Sequence, residues 1–169
     1  RSADITSNLI AGDNIILIRA MNYFNSGSSS SNPAGLAYKA VITYSVPLTV
    51  LIDIKPGSYP NSVNLGDQGN LPVAILGSAT IDVTNIDPTT IQVGGVALAQ
   101  RGSAKAPKLA FSFEDVNGDG YLDLMAHFSV PQLVSSGILT DSTASLVLTA
   151  ELMDGTHIEG SDSVNIVPA

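Results

Sequence analysis

Residues 109–128 read LAFSFEDVNGDGYLDLMAHF and place a short acidic loop between two alternating stretches. Every second residue on either side of the loop is apolar, namely Leu109, Phe111 and Phe113 before it and Leu122, Leu124, Ala126 and Phe128 after it. An apolar residue at every second position is typical of a strand, because successive side chains of a strand point to opposite faces. The stretch therefore predicts two strands joined by the loop.

The loop carries oxygen atoms at the spacing that calcium loops use. They fall at the first, third, fifth, seventh and ninth positions, and are supplied by Asp115, Asn117, Asp119, the backbone carbonyl of Tyr121, and Asp123. Gly120 at the sixth position permits a sharp turn, and calcium takes about six to eight oxygen ligands. Position twelve is Ala126, where a helix-loop-helix calcium loop has a glutamate. We expect a strand-loop-strand calcium site with a structural role. The alternative is an acidic hairpin turn, because Asn-Gly and Asp-Gly also favour turns.

Composition restricts the classes of protein that fit. The chain has 169 residues, of which 44% are hydrophobic, enough for a sizeable core. Its net charge of -8, from 15 acidic and 7 basic residues, argues against nucleic acid and anionic membrane surfaces as partners. Cysteine is absent, so no disulfide holds the fold. No apolar run is long enough to cross a bilayer, and we expect no membrane insertion.

Short apolar runs separated by turn residues make up most of the chain, which contains 15 glycines and 9 prolines. The clearest alternation covers Leu48 to Lys55, and Gly94-Gly95 and Asp154-Gly155 mark two hairpins. Only Val130 to Val134 reads as a turn of helix. These features predict an all-β fold, an antiparallel β-sandwich of jelly-roll or immunoglobulin-like type with short loops.

Two domains are expected, residues 1–45 and residues 46–169. The first contains two predicted strands, Ile15–Ala20 and Ala37–Tyr44, separated by a serine-rich loop. Its segments Asp4-Ile5-Thr6, Gly12-Asp13-Asn14 and Asn32-Pro33-Ala34-Gly35-Leu36 resemble the closing strands of galactose-binding-like jelly-roll modules. Such modules are much longer, so we expect this strand pair to be a jelly-roll tail, or to be donated to the second domain or to another copy of the chain.

Residues 48–167 resemble a calcium-binding β domain that recurs in large secreted bacterial and archaeal surface proteins. The resemblance rests on six ordered motifs: IDIKPGS at 52–58, PNSVNL at 60–65, LPVAILG at 71–77, IDP at 86–88, EDVNGDG at 114–120, and DG at 154–155 with IEGSDSV at 158–164. It implies an extracellular, calcium-binding accessory module and implies no reaction. Asn117 stands where that family often has aspartate, which lowers the charge of the loop.

Catalysis is not expected. No Gly-x-Ser-x-Gly motif accompanies the two histidines, His127 and His157. We expect His127 to lie beside the ion site, because it alternates in step with Asp123. Each glutamate that a paired-carboxylate glycosidase would need, among Glu114, Glu151 and Glu159, also fits a solvent-facing strand or turn position. Zinc is not expected either, because cysteine is absent and the histidines are far apart.

Two weaker patterns in the sequence each allow more than one interpretation. Asp53, Glu159 and Asp162 form either a second acidic cluster or, as we favour, capping groups at turns. The chain has no tryptophan, so stacking of a sugar would depend on Tyr23, Phe24, Tyr38, Tyr44 or Tyr59.

The sequence thus predicts a non-catalytic, extracellular or cell-surface structural subunit of a surface layer, sheath or fibre. Calcium would stiffen it, and β-strand pairing would assemble it into a homo-oligomer or polymer. The alternative is a carbohydrate- or surface-binding accessory module of a larger secreted hydrolase or adhesin, with a glycan as its partner.

Overall fold

A computed structural model of the chain describes residues 46–103 and 106–167. The predicted N-terminal strand pair, residues 1–45, lies outside the described residues. The described strands are β1 Leu48–Thr49, β2 Ile52–Ile54, β3 Ser62–Asn64, β4 Asn70–Ile75, β5 Gln92–Val93, β6 Val96–Ala97, β7 Gln100–Ser103, β8 Ala106–Leu109, β9 Phe111–Glu114, β10 Asp123–Ser129, β11 Ser145–Glu151, β12 His157–Ser163 and β13 Asn165–Val167. A 3₁₀ turn spans Val83–Asn85, and helix α1 spans Val130–Ser135.

Two larger sheets enclose the core. One has the order β1-β12-β11-β5-β6 and the other the order β2-β4-β10-β9, with two small pairs, β3 with β13 and β7 with β8. All pairings are antiparallel except those of β1 with β12 and of β3 with β13. One hydrophobic cluster draws buried residues from both larger sheets. The predicted all-β, antiparallel sandwich is confirmed.

The predicted strand from Leu48 to Lys55 is divided between the two sheets. Three residues of its predicted apolar face, Val50, Ile52 and Ile54, are buried, but the fourth, Leu48, is 42% exposed. However, β1 pairs with β12 in the first sheet, whereas β2 pairs with β4 in the second. A side chain at Gly160 of β12 would come within 2.7 Å of Ile52, so the sheets approach each other closely here.

Both predicted hairpins form. Gly94 and Gly95 have φ angles of 56° and 87°, as expected for the two central residues of a type I′ turn. In the last hairpin β11 pairs with β12 along its whole length, and its inward residues Leu146, Leu148 and Ala150 are buried. The predicted helical turn is α1, whose Ser129 hydroxyl accepts a bond from the backbone N–H of Gln132.

Strand β10 lies at the centre of the second sheet, between β4 and β9. It is buried on both faces, since Leu124, Met125, Ala126 and Phe128 are all buried. Leu122, which alternates with Leu124, Ala126 and Phe128 in the sequence, does not share their burial, because this side chain is 51% exposed. The strand begins one residue later, with Asp123 opposite Glu114, so Leu122 belongs to the loop.

Candidate metal centre

The predicted calcium loop connects β9 to β10, as a strand-loop-strand arrangement requires. Asp123 lies opposite Glu114 in the ladder, so residues 115–122 form the connection. Gly118 and Gly120 have φ angles of 75° and 90°. Any other residue would be strained at these angles, which explains the two glycines.

Asp115, at the first loop position, is the centre around which the loop folds. Its Oδ1 accepts hydrogen bonds from the backbone N–H groups of Gly118 at 2.7 Å and Asp119 at 3.2 Å. Its Oδ2 accepts a third bond, from the N–H of Gly120 at 3.0 Å. Three loop amides therefore converge on one carboxylate, and the rest of the loop curls over it.

The third and fifth loop positions lie next to each other. Oδ1 of Asn117 accepts a 3.0 Å bond from the N–H of Asp119, and Oδ1 of Asp119 accepts a 2.9 Å bond from the N–H of Tyr121. The Asn117 amide also donates a 3.0 Å bond to Oδ2 of Asp119. The structure thus brings Asp115, Asn117 and Asp119 together on the exposed side of the loop.

Asp123, at the ninth position, is in a different environment from the other three side chains. It is fully buried, and both of its carboxylate oxygens accept backbone hydrogen bonds. Oδ2 accepts a bond from the N–H of Val116 at 2.9 Å, and Oδ1 accepts one from the N–H of Gly77 at 2.8 Å. Asp123 therefore ties the start of the loop to the residues that follow β4.

Gly77 is a positioning residue that the sequence reasoning did not assign to the site. A Cβ built on it would lie 2.0 Å from the carbonyl oxygen of Leu122 and 3.5 Å from Cβ of Tyr121. Only glycine allows the backbone after β4 to approach the end of the loop so closely. The available signal was a glycine directly after the apolar run 71–76, within the motif LPVAILG.

The chemistry of the donors fits calcium, because every candidate ligand atom is an oxygen. Among residues 46–103 and 106–167, however, no three acidic, histidine or cysteine side chains are grouped so that they could hold a metal. Both oxygens of Asp123 face backbone amides. An ion at this loop would therefore depend on Asp115 and Asp119 together with neutral oxygens, from Asn117 and the Tyr121 carbonyl.

Neither histidine contacts a loop residue through a hydrogen bond or ion pair among the described residues. His127 is four residues beyond Asp123 on β10, about 13 Å at a strand rise of about 3.3 Å per residue, and its backbone bonds to Ala99 and Ala110. The expectation that His127 lies beside the ion site is therefore wrong, because strand β10 carries it away from the loop. His157 contacts the carboxylate of Glu151 at 3.4 Å, and both side chains are substantially exposed.

The second acidic cluster forms in part. Oδ2 of Asp162 accepts 2.9 Å bonds from the N–H of Ile54 and from the side-chain amide of Asn61. Burial, followed by the nearby charge of Asp162, raises the pKa of Asp53 above its ordinary value of 3.8. Glu159 does not join them, because it lies on the exposed face of β12.

No described helix is long and apolar enough to cross a membrane. Comparisons of the chain with protein-family models, curated proteins and solved structures found no match.

Proposed function

We propose that the chain is a non-catalytic structural subunit of an extracellular or cell-surface assembly, and that calcium stiffens its β-sandwich. The observation that carries the proposal is the construction of the loop between β9 and β10. Backbone amides of the loop converge on the carboxylate of Asp115, while Asp123 anchors the base of the loop to the residues after β4.

A bound cation would have an electrostatic role in this loop. Asp115, Asp119 and the adjacent Glu114 carry three like charges within a few residues, in a chain whose net charge is -8. A divalent cation would neutralise these charges and hold the connection in one conformation. Calcium sites of extracellular modules bind at about 10⁻⁴–10⁻³ M, a range suited to a structural ion outside the cell.

The proposed ligands are the side chains of Asp115, Asn117 and Asp119 and the backbone carbonyl of Tyr121, while Asp123, the fifth predicted ligand, holds the base of the loop through the amides of Val116 and Gly77. Asp115 and Asp119 supply the charge, and Asn117 and Tyr121 supply neutral oxygens. Water completes the coordination. When bound, calcium supplies charge neutralisation and rigidity, and no reaction step is assigned to it.

Assembly through strand pairing is the second part of the proposal. Strand β1 is at an edge of the five-stranded sheet and directly follows residues 1–45 in the chain. The predicted strands of that segment would satisfy open sheet edges in a neighbouring copy through main-chain hydrogen bonds. The resemblance to domains of secreted surface proteins supports the same setting, a surface layer, sheath or fibre.

The test combines electron microscopy of the full chain with thermal unfolding, each with calcium and with a chelator. We expect ordered filaments that fray on chelation and a calcium-dependent rise in the unfolding temperature. Asp115→Asn should abolish that rise, whereas Asp141→Asn, an exposed residue in another loop, should retain it. Dispersed monomers under both conditions would refute the polymer, and an unfolding temperature insensitive to calcium would refute the calcium site.

A carbohydrate-binding module is the alternative, favoured by one observation. Tyr59 is 95% exposed and lies at the rim of a groove lined by Asp53, Asn61 and Asp162.

A further inference from the structure

A groove of about 520 Å³ opens at one end of the sandwich. It is bounded by β2, by the turn that follows β2, by the end of β4 and by the end of β12. The side chains that decide its chemistry are Asp53, Ser58, Tyr59, Asn61, Leu76 and Asp162. The volume lies within the range of about 300–1,000 Å³ that is usual for small-ligand sites.

Tyr59 provides an aromatic surface at the rim of this groove. Its exposure of 95% is the highest among the large hydrophobic side chains of the described residues. It therefore contributes little to the core, and its ring is available to a ligand. Aromatic rings of this kind stack on apolar faces of ligands and leave the hydroxyl group in water.

Asp53 provides a carboxylate inside the groove. No group among the described residues donates a hydrogen bond to its side chain, whereas Asp162 accepts bonds from Ile54, Asn61 and Ser163. Burial and the nearby charge of Asp162 raise the pKa of Asp53, as expected of a partly desolvated carboxylate beside a like charge. A ligand that brings hydroxyl donors would satisfy it.

We infer that this groove binds a neutral saccharide, which stacks on Tyr59 and donates a hydroxyl hydrogen bond to Asp53. The two carboxylates and the net charge of -8 disfavour anionic glycans. A second groove of about 640 Å³, which includes Gln100, Gln132 and Ser135, has no charged or aromatic side chain in its lining and lacks both features. The inference goes beyond the calcium proposal and does not depend on it.

The test is affinity electrophoresis of the full chain in native gels cast with a neutral β-glucan, a xylan or a glucomannan, with polygalacturonate as the anionic comparison. Wild type should be retarded in at least one neutral gel. Tyr59→Ala should weaken that binding about three- to tenfold, and Asp53→Asn should weaken it as well. Tyr59→Phe, which keeps the ring, should remain close to wild type.

Two exposed controls match these changes. Met153→Ala removes a large side chain that is 70% exposed, and Asp141→Asn removes a carboxylate from another loop, so both should migrate as wild type. The inference is overturned if no neutral gel retards the protein, if Tyr59→Ala migrates as wild type, or if polygalacturonate binds better. It is also overturned if Asp115→Asn abolishes retardation as Tyr59→Ala does, because binding would then belong to the calcium loop.

Discussion

The backbone N–H of Gly77 donates a 2.8 Å hydrogen bond to Oδ1 of Asp123, a residue 46 positions further along the chain. The other oxygen of Asp123 accepts the N–H of Val116, at the start of the loop. One buried carboxylate thus connects the residues after β4, the beginning of the acidic loop and the first residue of β10. The conformation of the loop is therefore coupled to the core of the second sheet.

Replacing Asp123 with alanine should destabilise the protein whether or not calcium is present. The change leaves the amides of Gly77 and Val116 without their acceptor, and we expect a loss of about 2–4 kcal/mol in the free energy of unfolding. Urea unfolding measured with a chelator isolates this effect. Asp141→Ala should change stability little in the same assay, and a loss for Asp123→Ala that appears only with calcium would contradict the anchoring role.

Adding a methyl group at Gly77 should destabilise the fold and disturb the loop. The new Cβ would lie 2.0 Å from a backbone oxygen, so β4 and the loop must separate. We expect a loss of about 1–3 kcal/mol in the free energy of unfolding, together with weaker calcium binding. Gly69→Ala is the matched control, because its Cβ would meet only the tip of the Asp67 side chain, at 3.1 Å. Equal stabilities for the two variants would exclude a role for Gly77 in positioning the loop.

Replacing Asn117 with aspartate should tighten calcium binding and weaken the calcium-free protein. The change adds a charged ligand and removes the amide that donates to Asp119 at 3.0 Å. Titration calorimetry should show an affinity about three- to tenfold higher, and the unfolding temperature in chelator should fall. Asn85→Asp adds the same charge at an exposed position outside the loop and should leave the affinity unchanged. Unaltered calcium affinity in Asn117→Asp would remove this side chain from the proposed ligand set.

Asp53 gives stability a pH dependence of a definite sign. Because its pKa is raised in the folded state above 3.8, the folded protein binds more protons than the unfolded chain in the pH range just above 3.8. This residue's contribution to stability therefore falls as the pH rises through that range. Asp53→Asn should be more stable than wild type at neutral pH, and the difference should vanish in acid below 3.8.

Asp82 should give stability the opposite pH dependence to that of Asp53. Hydrogen bonds from the hydroxyl and the N–H of Thr84 lower its pKa below 3.8. Its stabilising contribution is present above that value and is lost as the pH falls through the lowered pKa. Asp82→Ala should therefore lower stability at neutral pH. Chemical unfolding over a pH series checks both signs, and a common sign for the two variants would refute the assignment.

The sequence patterns predicted local structure better than long-range contacts. The alternation at Val50, Ile52 and Ile54 correctly predicted that these residues are buried. It could not predict that the strand is divided between two sheets, because side chains alternate in the same way in either sheet. The spacing of the loop likewise placed Asp123 among the ligand positions. Spacing could not show that Asp123 is buried and bonded to Gly77, because this contact requires β4 and β10 to be paired.

Residue spacing also could not predict which side chains are exposed or which distant residues lie close together. Tyr59 was one of five aromatic candidates for a sugar, and its position in a predicted turn did not show that it borders a groove with Asp53 and Asp162. Asp53 and Asp162 are more than a hundred positions apart, and β2 and β12 must be placed before their proximity is evident. Glu159 fell outside the cluster because it faces away from the core on β12.

The parallel pairing of β1 with β12, and of β3 with β13, has a mechanical consequence. Because β1 and β12 run in the same direction, a pulling force applied between residues 47 and 167 acts along the length of both strands. The hydrogen bonds of each pair then bear the force together, in shear, and do not open one after another as in a peeled hairpin. In the polymer proposed above, this geometry would transmit tension from one copy to the next.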